Sequence, residues 1–495
     1  MKIPLRLNFF ILLLFLASCN LPQRGQTLPP TLVVVTQDPG ASPTPTPFQP
    51  VTLTPSFTPQ PPTNTPPPTF AFTATSLPQP TSPPTTSRTQ YTLFALLDYY
   101  GNQLAVDETI RYTNQTGAAL NELVMAVEPN HQGGFNLENV LLNGNALNYD
   151  LNGHRLTVYL PQPLAPGTQI ALAMRFHLSN PAKVNLTDWF PFVVPYSNGW
   201  VLHDDYYLGE HLVQDAADFE VNVRVTEGSI VFAASGVGEP NNEWTRYRLF
   251  GARTFALSAS DQFQFVEAAA GAAVIRAYYY PGYETEGLAI LNAAVRAVGL
   301  FESLFGPYPY GSLSIVQSDL NDGQEYDGLV FLATKFYNEY DGSARSNLVA
   351  IGVHEIAHQW WYGLVGNDAA TEPWLDEALS VYSEALFYEY IYPNSYDWWW
   401  QWRVNYFGPS GYVDTTIYEA PTFRAYVNAS YLNGANFMEA LNYRMGDDAF
   451  FAFLRDYASR YGRGRATAYD FFVVARQNTT ADISDLIQAY FRGGY

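Results

Sequence analysis

From Thr89 to about Phe265 apolar and polar residues alternate at period two between short turn signals, the spacing that gives a strand one buried and one solvated face. Ile170, Leu172, Met174, Phe176 and Leu178 share one such face, Leu156, Val158 and Leu160 a second, and Phe219, Val221, Val223 and Val225 a third. Asn152-Gly153, Pro166-Gly167 and Gly228 punctuate the runs as turns. Residues 89–270 therefore predict an antiparallel β-saddle or sandwich. After about Gly271 the pattern changes. An extended run from Ala273 to Tyr280 leads through Pro281-Gly282 to a predicted helix over 284–304, and a strand follows at 312–318. Helices dominate from Ser346 onward, with Thr467 and Asp470 spaced as a capping box. Residues 271–495 read as an α+β domain, and the chain as multidomain.

The N-terminal end lacks both periodicities. Residues 1–19 have the form of an export signal: Lys2 and Arg6, an apolar run from Phe9 to Ala17, then Leu16-Ala17-Ser18-Cys19. That run is too short to span a bilayer comfortably. The last four residues resemble a bacterial lipobox, which implies a lipidated Cys19 and an extracytoplasmic protein anchored to a bacterial membrane. Cys19 is the only cysteine, so no intrachain disulfide forms. Residues 20–88, rich in Pro, Thr, Ser and Gln, bury too little apolar surface to order and read as a disordered tether. The net charge of −21 thus lies almost wholly on residues 89–495, which argues against a nucleic-acid partner.

The chemistry concentrates in His354-Glu355-Ile356-Ala357-His358, inside a helical stretch with Ser346 or Asn347 available as its cap. Residues four apart lie one helical turn above each other, so the two imidazoles face one ion. Glu355 is offset from that face and suited to hold a water beside the metal. Glu377, eighteen intervening residues after His358, starts a predicted helix behind Pro373 and supplies a third ligand. A His-His-Glu set leaves the fourth position of one Zn²⁺ ion open, the mark of a catalytic rather than a structural site.

His354-Glu355-x-x-His358-Gln359-Trp360 with Trp374-Leu375-Asp376-Glu377 resembles the gluzincin peptidases of the aminopeptidase N and leukotriene-hydrolase family, and the resemblance covers about residues 91–495. It implies a β-saddle followed by a thermolysin-like catalytic domain, and peptide substrates with a free N-terminus. Gly323-Gln324-Glu325-Tyr326 resembles the family's exopeptidase motif, with Gln324 for Met and Tyr326 for Asn, which implies that Glu325 binds the substrate's α-amino group. Ser430-Tyr431-Leu432-Asn433-Gly434 resembles the segment whose tyrosine donates to the oxyanion, with Asn433 where Lys is usual; this implies that role for Tyr431, while Tyr426 reads as an ordinary loop aromatic, with assistance to Tyr431 as the alternative. The family's second amine-binding acid has no evident match.

Asp376 and Glu372 read as solvated helix-start acids rather than acceptors for the ligand imidazoles. His203-Asp204-Asp205 and Glu210-His211 form the other His/acid cluster, without recognisable ligand spacing, and Trp189-Phe190-Pro191 reads as core. The expectation is a zinc aminopeptidase with Glu355 as general base. An endopeptidase or other metal hydrolase with the same site, and a non-catalytic peptide-binding lipoprotein, are its alternatives.

Overall fold

The computed structural model describes residues 88–179, 181 and 185–495. The export signal with Cys19, and the tether up to residue 87, lie outside the described residues. Arg88, placed in the tether by composition, instead donates to Asp218 at 2.9 Å.

The β-rich part contains an eight-stranded sheet centred on Gln90–Asp98 and Gln103–Thr113, and a four-stranded sheet containing Leu120–Ala126 and Arg155–Leu164. Alternation builds the core as expected: Tyr91, Leu93, Ala95 and Leu97 are buried from one strand, Leu172, Met174, Phe176 and Leu178 from another. Leu123, Met125 and Leu156 of the smaller sheet join the same core. One pairing departs from the antiparallel expectation. Gln90–Asp98 runs parallel to Ala217–Val225, because the chain between them builds the other half of this sheet as well as strands of the second layer and then returns in the same direction.

The second part is built on a five-stranded mixed sheet ordered Gln264–Ala270, Ala273–Tyr279, Ser312–Ser318, Leu329–Ala333 and Gln324–Tyr326. Gln264–Ala270 belongs here because it forms a hairpin with Ala273–Tyr279 across Gly271, although period-two alternation alone assigns it to the preceding part. Gln324–Tyr326 is the antiparallel edge strand. The helix Glu284–Phe305 buries Ile290, Ala294, Ala297, Val298 and Phe301, and packs on both the sheet and the helix Asn347–Ala357. A Cβ at Gly352 would collide with Ile290, so glycine is what lets these two helices approach. The capping box at Thr467 is present with both arms made. The cap expected at Ser346 is not: its hydroxyl donates to the Ser343 carbonyl at 3.2 Å.

Candidate active site

The helix Asn347–Ala357 is buried along nearly its whole length and ends with His354, Glu355 and His358 pointing into one cavity of about 310 Å³. The helix Trp374–Ile391 delivers Glu377 from its first turn. Its start is pinned by Trp374, whose indole sits within 4.9–6.2 Å of the rings of Phe437, Phe471, Phe472 and Phe491. Trp361 Nε1 donates to Ser383 Oγ at 3.1 Å and ties the segment after the first helix to the second.

The three predicted ligands meet. His354 Nε2 and His358 Nε2 are 3.1 Å apart, and Glu377 Oε2 lies 3.2 Å from the first and 3.5 Å from the second. Tetrahedral zinc with bonds near 2.0–2.1 Å separates its ligands by about 3.3 Å, so the triangle fits the ion. Both remaining imidazole nitrogens are engaged: His358 Nδ1 lies 3.1 Å from the Trp361 carbonyl, and His354 Nδ1 lies 3.0 Å from Glu384 Oε1. These contacts occupy Nδ1 of each ring and leave both Nε2 atoms facing Glu377, the orientation a shared ion would need.

Glu384 is the acceptor that sequence reasoning missed. Wholly buried, it also receives Trp399 Nε1 at 3.0 Å and Arg403 Nε and Nη2 at 2.9 Å each. Burial pushes its carboxyl up, but the Arg403 guanidinium and the His354 hydrogen bond leave it below the ordinary range. Asp376 corrects the solvated reading: it is buried, accepts from Asn367 Nδ2 at 3.0 Å, and takes the Glu377 amide at 2.8 Å. Glu372 accepts from the Ala468 amide at 3.1 Å, so neither acid serves an imidazole.

Glu355 is buried, and its Oε2 has no hydrogen-bond partner among the described residues. Burial, then the nearby Glu325, pushes its carboxyl well above the usual range. A Cβ at Gly323 would run into that carboxylate, which gives the glycine before Gln324 a steric role. Glu325 sits on the edge strand, its Oε1 3.9 Å from His358 Nδ1. Gln359 holds that strand to the metal helix, donating to the Tyr326 carbonyl at 3.0 Å and accepting the Gly328 amide at 2.8 Å.

Tyr431 lies on a π-helical segment, Val427–Leu432, with its ring stacked on His354 at 6.3 Å. Its hydroxyl donates to Glu377 Oε1 at 2.6 Å, beside the ligand oxygen. Tyr426 is buried with its ring 5.5 Å from that of Tyr431. Asn433 is diverted to the Gly411 carbonyl at 2.8 Å.

The β-rich part contributes one residue. Glu210, from the coil between Trp200 and Ala217, lines the same cavity as Glu325, Glu355 and Glu377. Burial, then Glu325, pushes its carboxyl well above the usual range. Five acids line the cavity, Asp322 being the fifth, against Arg403 and Arg424, an excess of carboxyls that suits cationic occupants. His211 does not follow its neighbour but joins His154 and Glu128, and His203 lies 2.9 Å from Asp368. Trp189 and Phe190 are buried core, as expected.

Residues 290–490 match the peptidase family M1 domain. Aminopeptidase M1-B of Oryza sativa subsp. japonica is 27% identical over 235 residues, covering 44% of this chain and 26% of that protein. Aminopeptidase M1 of Arabidopsis thaliana is 22% identical over 234 residues, with the same coverage of 44% and 26%. The chain thus spans about a quarter of the length of these curated relatives. The M1 zinc metallopeptidase from Deinococcus radiodurans superposes with a TM-score of 0.59 at 20% identity, over 83% of this chain and 94% of the other. A mutant of that enzyme with a Tyr-Ser-Ala substrate gives a TM-score of 0.58 at 19% identity, over 83% and 94%. At such identity the likeness is one of fold.

Proposed function

From the match of residues 290–490 to the peptidase family M1 domain, we propose that this chain is of the gluzincin, aminopeptidase N-like kind, a zinc aminopeptidase that removes N-terminal residues from peptides. The observation that carries the reading is the meeting of a zinc-sized His354-His358-Glu377 triangle with the carboxylates of Glu355, Glu325 and Glu210 in one cavity. His354, His358 and Glu377 would hold the ion, which would acidify a water and polarise the scissile carbonyl. Glu355, whose Oε2 has no protein partner, takes the proton of the attacking water and returns it to the leaving amine. The Tyr431 hydroxyl swings from Glu377 Oε1 to the carbonyl oxygen as negative charge develops there. Glu325 and Glu210 bind the substrate ammonium. Glu210 thus takes the part of the second acid that the sequence motif lacks.

In the same reading the protein is exported and held outside the cytoplasm by lipid on Cys19, with residues 20–87 giving reach from the membrane. A Cys19→Ser variant recovered in the membrane fraction like the wild type would refute the anchor.

The activity is tested with free-amine and N-acetylated peptides of one sequence, with and without a chelator. We expect chelator-sensitive release of the N-terminal residue from the free-amine series alone. Equal cleavage of acetylated peptides would replace the aminopeptidase with an endopeptidase sharing the site.

A further inference from the structure

A second group of metal-type donors lies in the β-rich part, away from the catalytic triangle. Glu128 opens the short helix Glu128–Gln132, directly after the strand Leu120–Ala126. His154 follows the Asn152-Gly153 turn at the head of the strand Arg155–Leu164. The two segments are clamped by the Val127 amide donating to the His154 carbonyl at 2.7 Å, and by Asn130 Nδ2 donating to the Gly153 carbonyl at 2.5 Å. His211 arrives from the coil that carries Glu210.

The donor atoms converge much as the catalytic ones do. Glu128 Oε1 lies 2.8 Å from His154 Nδ1 and 3.5 Å from His211 Nε2, and all three lie within 4.8 Å of one another. Tetrahedral zinc asks for about 3.3 Å between ligands, and the two carboxylate–imidazole distances bracket that value. An ordinary ion pair between Glu128 and a protonated His154 accounts for the first distance. His211 Nε2 is held less well: it is buried, makes no close hydrogen bond among the described residues, and faces the same carboxylate only at 3.5 Å. The two imidazoles stack at 5.5 Å, which keeps both rings beside the one carboxylate. His131, 5.9 Å from His154 ring to ring, is not part of the set because its Nε2 is paired with Asp205 at 3.0 Å.

We propose that Glu128, His154 and His211 form a second metal site, for a borderline divalent ion of the zinc class, distinct from the catalytic one. Two imidazoles and one carboxylate select zinc or cobalt over calcium, which takes six to eight oxygens. The site also reaches the cleft. His211 is bonded to Glu210, and a cavity of about 250 Å³ lined by Glu128, His211, Glu210 and Glu325 joins the two regions. An ion at His211 fixes the segment that presents Glu210 to the substrate ammonium. This last consequence rests on the proposed aminopeptidase reading; the ion itself does not.

The full chain, stripped of metal, is equilibrated with zinc and its bound metal counted by mass spectrometry. The wild type is expected to hold two equivalents. His154→Gln and His211→Gln should each hold one, keep kcat, and raise KM for free-amine peptides. One equivalent in the wild type, or two in His211→Gln, would overturn the proposal. A second measurement does not depend on those variants folding: His354→Gln/His358→Gln loaded with cobalt should show the visible bands of a low-coordinate nitrogen site. A colourless protein there would equally overturn it. Two equivalents with an unchanged KM would keep the site and remove only its link to Glu210.

Discussion

Glu384 offers the strongest test of how the metal ligands are held. It accepts from His354 Nδ1, Trp399 Nε1 and two nitrogens of Arg403, with no exposure of its own. Glu384→Gln keeps the shape but offers one acceptor oxygen and an NH₂ group. If the oxygen stays with Arg403, the NH₂ opposes the Nδ1 proton that fixes His354, and the imidazole loses its orientation. Replacing such an outer partner weakens metal binding by about 10–100-fold, or roughly 1.4–2.8 kcal/mol. Separately, the Arg403 side chain, 20% exposed, is left without its counter-charge. Breaking a buried pair on one side costs about 3–5 kcal/mol, and partial access to water places this case near the low end. The two losses are separable. Adding Arg403→Met should restore most of the stability, read by chemical denaturation of the metal-free protein. It should leave zinc affinity, read by competition with a chromophoric chelator, as weak as in the single variant. Zinc affinity within twofold of wild type in Glu384→Gln, or its recovery in the double variant, would refute the orienting role.

Four other outcomes are expected. Glu355→Gln should keep its zinc equivalents yet lose roughly 10²–10⁴ in kcat, and retained turnover would remove Glu355 from the chemistry. Tyr431→Phe should lower kcat by about 10²–10³ with KM within a few fold, whereas an effect confined to KM would make Tyr431 a substrate contact only. Glu210→Gln and Glu325→Gln should each raise KM for free-amine peptides and narrow the preference over acetylated ones; no change in that preference would deny them the ammonium. Asp188, beside Gln214 and Tyr326, is held up at about 6 by burial and by Glu128, against an ordinary 3.8. The folded chain therefore keeps a proton that the unfolded chain releases, and stability falls as pH rises through that window. Asp188→Asn should gain in Tm over wild type progressively between about pH 4 and pH 6 and hold the gain above it; a pH-independent difference would refute the shift.

What the sequence makes legible follows from how local each feature is. His354 and His358 need only a helix to share a face, and Glu377 needs only a helix start behind Pro373. Glu384 is equally local, seven residues and about two turns beyond Glu377 on one face of the helix, so a search for an acid at that offset finds it. Its partners Trp399 and Arg403 are not legible, because they lie where the chain passes from the short helix Tyr396–Trp399 into the π-helical turn Trp400–Val404, and no period predicts their direction. The parallel Gln90–Asp98 pairing is hidden for a similar reason: alternation reports which face is buried but not which neighbour is chosen.

Glu210 marks the boundary most clearly. Over 200–216 the alternation that organises the β-rich part lapses, and the segment is nearly free of regular structure. Its place is set by close tertiary packing instead, since a Cβ at Gly209 would meet both Ile417 and the Tyr426 hydroxyl. The segment is therefore seated against the tyrosine that itself backs Tyr431, and through them against the metal triangle. Substrate contacts commonly reside in loops positioned by a rigid scaffold, and here the scaffold on both sides of the cleft is required before Glu210 has a position at all. A replacement at Gly209 should accordingly disturb KM for free-amine peptides while zinc content stays unchanged. If Gly209→Ala instead lost zinc with the fold intact, the coil would be supporting the metal rather than the substrate.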